Sequence, residues 1–212
     1  IGGDFFDLFP VLDPARPDHL AIVIADVSGK GISAALLMAF LRPVIRAALD
    51  HTGAPTEALE RVNRILVEER QTGMFVTVLC GVLGLRDGTF RFASAGHEAP
   101  VVVPADGSPP RSAPDGGPLI GLFPRLDLPD QVLEIGPGDI LALYTDGVTD
   151  AVSPDGERFG YERFVARLAR DRTAPAEAAV TDVVAAVLEF QGDRPPADDL
   201  AVLALRRPGG RR

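Results

Sequence analysis

Residues 20–40 read LAIVIADVSGKGISAALLMAF, and the change of character along that stretch decides the fold. The first eight residues, all apolar but Asp26, predict a buried strand over 20–27. A short glycine-bearing turn follows, and the Ala- and Leu-rich run 31–50 predicts a helix that Pro43 kinks. Asp26 therefore stands at the mouth of an otherwise apolar strand. The opening IGGDFFDLFP (1–10) repeats the theme, with Asp4 and Asp7 flanking two phenylalanines. A carboxylate so placed is costly unless a cation or a hydrogen-bond network compensates it.

Working outward, TEALERVNRILVEE (56–69) sets Leu59, Val62, Ile65 and Leu66 at helical spacing, with glutamates on the other face. FVTVLCGVLGL (75–85) and TFRFASAG (89–96) predict two strands joined by the RDG turn, a hairpin signal. APVVVP (99–104) is expected to add a third strand to that meander. Residues 104–130 are Pro-, Gly- and Asp-rich and read as a surface excursion, because strand patterns resume with QVLEI and DILALYTDG. Helices are expected over 161–170 and 175–190, and LAVLAL (200–205) closes the chain as a strand. Strands at both ends with helix pairs between them indicate one α+β domain built on antiparallel sheets.

The chain has 212 residues and a net charge of −9, which argues against a nucleic-acid partner, since that needs a basic face. Lys30 is the sole lysine, and the Ala, Pro, Gly and Arg usage suggests a high-GC bacterial genome. One cysteine, Cys80, excludes an internal disulfide, fits a reducing cytoplasm and sits in an apolar strand pattern as a core residue. No apolar run is expected to span a bilayer, and no signal peptide is visible. The first residue is Ile, so a longer protein with upstream sequence is expected.

Four acidic places share a pattern: Asp4 after two glycines, Asp26 at a strand end, Asp146 at the end of ILALYTDG, and Asp198–Asp199 before the last strand. Gathered together, such carboxylates would repel one another unless a hard cation bound them. Oxygen-only donors select Mg²⁺, Mn²⁺ or Ca²⁺, and no Cys/His cluster offers another choice. Each place also has a bland reading. TDG alone is more often a turn, DVSGKG fails the spacing of known phosphate loops, and Asp198–Asp199 could simply cap a strand. His97 in SAGHEAP reads as a structural histidine at a strand-to-strand turn.

In order, GGDFFD, DVSGKG, MFVTVLCGVL, ASAGHEAP, YTDGVTDA with GERFGYERF, and DDLAVLAL resemble the SpoIIE-like (stage II sporulation protein E type) branch of the PPM metal-dependent serine/threonine phosphatases. The likeness covers essentially the whole chain. It implies a single phosphatase domain over 1–212 with a two-sheet antiparallel β-sandwich flanked by helix pairs. It also implies two Mn²⁺ or Mg²⁺ ions bridged by a water that attacks phosphoserine or phosphothreonine. On that resemblance Asp26 bridges both ions and the Val27 carbonyl is a further ligand. Asp146 and Asp198 complete one ion, and Asp4 serves the other. Asp199 stays an alternative to Asp198, because neighbouring strand residues point to opposite faces. Lys30 and Arg42 are candidates to meet substrate phosphate.

The branch further implies a phosphorylated STAS-domain anti-anti-sigma protein as substrate, in sigma-factor and stress signalling. A sensor domain upstream in the same chain and a possible homodimer complete the implied architecture. Two other readings stand beside it: a phosphatase-like regulatory binding domain that has lost turnover, and a structural Ca²⁺-binding sandwich. The second is weaker, because no compact DxDxDG loop is present.

Overall fold

The computed structural model describes residues 3–11, 18–29, 31–69, 73–194 and 198–209, and the chain divides into two compact units. The first comprises residues 1–99 and 114–134, the second 100–113 and 135–212.

The first unit carries an antiparallel sheet in the order β1-β2-β3-β4-β7. Its strands are β1 (Asp4–Pro10), β2 (His19–Val27), β3 (Val76–Gly84), β4 (Thr89–Ala95) and β7 (Gln131–Glu134). Helices α1 (Ile32–Thr52) and α2 (Pro55–Glu69) pack on one face of it. Alternation along the strands sorts the residues between the two faces. Ala21, Val23, Ala25, Val78, Cys80 and Val82 join Leu41, Ile45 and Leu49 of α1 and Leu59 and Val62 of α2 in one core. The predicted hairpin is present: the Asp87 carboxylate accepts the Thr89 N–H at 3.0 Å, and Gly88 takes φ +79°. Asn63 of α2, buried, ties down the loop after residue 119, donating to the Phe123 carbonyl and accepting the Gly121 N–H, both at 2.9 Å.

The second unit has a sheet in the order β6-β5-β8-β9, from β5 (Val101–Val103), β6 (Arg111–Ser112), β8 (Ile140–Tyr144) and β9 (Val202–Arg206). Its helices are α3 (Asp146–Thr149), α4 (Gly160–Leu168) and α5 (Ala176–Gln191). Phe159, Phe164, Leu168, Val183 and Val187 bury against Val101, Val103, Ile140, Ala142 and Tyr144.

Two expectations are corrected here. APVVVP does not extend the β3–β4 meander. The free edge of β4 is taken by β7, and Val101–Val103 pair instead with β8 and β6. Adjacency in sequence favoured the nearer sheet, but the turn at Gly96–Pro100 carries the chain into the second unit. The Pro/Gly-rich excursion likewise holds the short strand β6 and the point where the chain returns to the first unit.

The second correction concerns α1, which is long and apolar enough to cross a membrane by length and composition alone. It is buried along one face, while Ile32, Leu36 and Phe40 are exposed. Ala34, Leu41, Ile45, Ala48 and Leu49 are buried, and it runs through Pro43 as one helix. Its two arginines grip β1: Arg42 donates to Asp7 at 3.0 Å, and Arg46 makes a fork to both Asp7 oxygens at 2.8 and 2.9 Å. The Arg46 guanidinium also lies over the Phe9 ring, 4.3 Å from its centroid. Asp7 is thus a buried carboxylate compensated by hydrogen bonds rather than by metal. Arg42, expected to meet substrate, is committed to this clamp.

Burial pushes the Asp7 carboxyl up, and the hydrogen bonds and charges of Arg42 and Arg46 outweigh it, so it titrates below its ordinary value. A folded value below the unfolded one adds stability that is fully present above about pH 4 and is lost as pH falls through the folded value. Asp7→Asn should cost about 2–3 kcal/mol at pH 7. Urea unfolding of the two proteins at pH 7 and pH 3 should show the difference between them shrinking in acid.

Candidate functional site

The first unit places Asp4 and Asp26 directly opposite each other across the β1–β2 ladder. Cross-strand partners share a face, so both carboxylates lie on the face opposite α1 and α2, and both are half-buried. Like charges directly opposed destabilise a ladder. Thr77 continues the row on β3 as the cross-strand partner of Asp26.

The backbone is unusually close here. Gly3 accepts the Val27 N–H at 3.2 Å, and a Cβ at Gly3 would fall 2.4 Å from the Val27 carbonyl oxygen and 3.1 Å from Asp26 Oδ1. Only glycine leaves that carbonyl and carboxylate open on this side. Beyond Val27 the strand is held by Ser28, whose N–H donates to the Phe75 carbonyl and whose hydroxyl accepts the Phe75 N–H, each at 2.9 Å. Lys30 lies outside the described residues.

The second unit holds the other acids. Asp146 does not end a strand as the sequence suggested. β8 stops at Tyr144, Thr145 is extended, and Asp146 opens α3. Thr145 is fully buried and locks this corner to the segment before β9: its N–H donates to the Ala201 carbonyl, and its hydroxyl accepts the Ala201 N–H at 3.0 Å. A Cβ at Gly147 would fall 1.8 Å from the Asp199 carbonyl oxygen, so the backbone carrying Asp198 and Asp199 passes directly over that glycine.

Asp146, Asp150 and Asp198 line one cavity of about 190 Å³ with Gly147, Ala151 and Gln191. Burial raises the Asp146 pKa, and the charges of Asp198 and Asp150 raise it further against the lowering effect of the Gly147 N–H. The Asp198 charge is among those that Asp146 feels, and the Asp199 N–H donates to Asp198 Oδ1 at 3.0 Å. Asp150 was missed in the sequence reading, although YTDGVTDA places it one helical turn from Asp146. It is also paired to Arg158 at 2.8 Å.

Among the described residues, no three or more His, Cys, Asp or Glu side chains gather in a metal-holding group. Gly3 leaves the Val27 carbonyl and the Asp26 carboxylate open, and Asp146 and Asp198 line a cavity; hard oxygen donors of this kind suit Mg²⁺ or Mn²⁺ completed by water. Cys80 is fully buried with its thiol pushed up to about 12, which rules out a thiolate nucleophile there.

The fold is that of PP2C-type serine/threonine phosphatase domains. The SiaA-PP2C domain of Pseudomonas aeruginosa superposes with a TM-score of 0.83 at 24% identity, covering 97% of this chain and 80% of that one. The RsbU and RsbW domains of a Mycobacterium tuberculosis protein give 0.80 at 30% identity, covering all of this chain and 57% of that one. The profile of the Stage II sporulation protein E family matches residues 16–208, and the chain belongs to that family. Protein IcfG of Synechocystis sp. is 31% identical over 98% of this chain, and the phosphoserine phosphatase RsbU of Bacillus subtilis 28% over 90%. The chain spans 36% of the first and 56% of the second.

Replacing Thr145 with valine keeps its shape but strands the Ala201 N–H, and should cost about 1–3 kcal/mol in urea unfolding. Gly147→Ala should be worse, because backbone rather than a flexible side chain must move. A Gly147→Ala protein as stable as wild type would contradict the described approach of residue 199.

Proposed function

We propose that this chain is a metal-dependent phosphatase domain that hydrolyses phosphoserine or phosphothreonine on a protein substrate. The observation that carries the reading is Asp4 facing Asp26 across β1 and β2, which sets two hard oxygen donors side by side. Asp26 and the Val27 carbonyl would serve as ligands, with Asp4 for one ion and Asp146 and Asp198 for the other. When bound, two divalent cations would lower the pKa of a shared water and neutralise the phosphoryl oxygens during in-line displacement.

The chain's own residues supply position. The β1–β2 register and Gly3 fix Asp4 and Asp26, and the Thr145–Ala201 bonds and Gly147 fix Asp146 against Asp198. Lys30, in the turn after Val27, is proposed to meet phosphate oxygens as a point charge. Burial and the charge of Asp198 both raise the Asp146 pKa, and a bound cation would act in the opposite sense.

The substrate is proposed to be a phosphorylated STAS-domain anti-anti-sigma protein in a cytoplasmic partner-switching pathway, with regulatory sequence elsewhere in the same chain and a dimer as the working form. Support comes from the relatives named phosphoserine phosphatase RsbU and RsbP, and from the M. tuberculosis protein that carries RsbU and RsbW domains together.

Hydrolysis of an aryl phosphate and of a phosphoserine peptide should require Mn²⁺ or Mg²⁺ and stop on chelation. Asp26→Asn should lower the rate more than about 100-fold, since even residues behind the ligands cost roughly 10–100-fold, while circular dichroism stays unchanged. Full activity in chelator would refute the metal reading. Metal binding without turnover would favour a regulatory binding domain.

A further inference from the structure

The cavity of about 190 Å³ in the second unit has one polar lining residue besides the acids. Gln191 is the last residue of α5 and is buried, with 6% of its surface exposed. Its carboxamide carries two N–H donors and an acceptor oxygen, yet it has no hydrogen-bond partner among the described residues. A buried amide left without a partner costs stability, so this one calls for a partner that enters the cavity.

The end of α5 is held firmly where it meets the cavity. The Gly192 N–H donates to the Leu188 and Glu189 carbonyls at 3.1 and 3.3 Å. Phe190 meets the Phe159 ring edge-on at 5.4 Å, and the Arg163 guanidinium lies 4.9 Å from the Phe190 centroid. Just beyond, Arg194 donates to the Pro154 carbonyl at 2.9 Å.

The rest of the lining says what that partner is. Asp146, Asp150 and Asp198 only accept when ionised, and the negative end of the α5 dipole borders the same space, so the cavity favours a cation. No three of the described acids converge on one point, so a divalent ion held by Asp146 and Asp198 keeps several of its waters. A water whose oxygen faces a cation has two protons to give and needs acceptors for them. Asp150 already shares its carboxylate with Arg158 at 2.8 Å. The Gln191 oxygen is the one uncharged side-chain acceptor among the described lining residues.

We propose that Gln191 is a positioning residue of the second unit's ion site: its carboxamide oxygen accepts a hydrogen bond from a water carried by a divalent cation on Asp146 and Asp198. Gln191 touches neither the ion nor any reacting atom. The inference rests on the metal reading above and adds to it a neutral residue that orients the ion's water from the helix side.

The test is Mn²⁺ affinity, measured by calorimetry on the 212-residue chain, with metal-free thermal unfolding beside it. Asp146→Asn identifies which binding event belongs to this site. Gln191→Met keeps the length and burial of the side chain and removes its polar atoms. It should weaken that event about tenfold or more. The same variant, without metal, should melt at the wild-type temperature or a few degrees above it, since an unpartnered buried amide has been replaced by an apolar group. Gln191→Glu keeps an acceptor oxygen at the same reach and should bind Mn²⁺ at least as tightly as wild type.

Wild-type affinity in Gln191→Met overturns the inference, as does a Gln191→Glu protein as weak as the methionine variant. A metal-free Gln191→Met protein that fails to fold, or melts well below wild type, overturns it too, because the carboxamide would then be serving the fold. If Asp146→Asn removes a binding event that Gln191→Met leaves untouched, the role of Gln191 falls and the metal reading stands. If Asp146→Asn binds like wild type, or wild type does not bind Mn²⁺ at all, both fall.

Discussion

Everything in the first unit depends on the register between β1, β2 and β3. Side chains alternate with a period of two, so a slip of one residue would exchange the two faces of a strand. In the observed register Asp4, Asp26 and Thr77 form one row, while Asp7, Val23 and Cys80 face the helices. The apolar run of β2 pins that register, because both of its faces are buried from Ala21 through Ala25. The acids are placed by the hydrophobic residues beside them rather than by any attraction of their own.

The two strand-borne aspartates of β1 are solved in different ways. Asp7 is buried and meets two guanidinium groups from α1, so its charge is cancelled inside the protein. Asp4, three residues earlier and on the other face, meets the carboxylate of Asp26 across the ladder. One strand therefore carries a compensated acid on its helix face and an opposed pair of acids on the other. The same contrast holds in the second unit. Asp139 accepts the Ala105 and Gly136 N–H groups at 2.9 Å, while Asp146 is pushed up by burial and by Asp198 and Asp150.

Much of this was legible in the sequence. The strand at 20–27, the hairpin with its RDG turn, the paired helices and the acids at glycine-marked turns all follow from periodicity and turn chemistry. What escaped was non-local. APVVVP looks the same whichever sheet it joins, and only the occupied edge of β4 decides the matter. DFFDLF cannot reveal that its second acid belongs to Arg42 and Arg46, some forty residues away in sequence. The Thr145–Ala201 lock and the approach of residue 199 to Gly147 are equally invisible, since they join segments separated by a helix pair.

The clamp on Asp7 bears on the site as well as on stability. α1 begins just after the turn that follows Val27, and its central turns are bolted to β1 through Arg42, Arg46 and Phe9. β1 in turn supplies Asp4 and, through Gly3, the backbone partner of Val27. The β2 ladder thus fixes Val27 from one side, and the clamp from α1 fixes β1, the strand that carries Asp4 beside Asp26. Holding both strands in register before any ligand arrives leaves less ordering to be done when one binds.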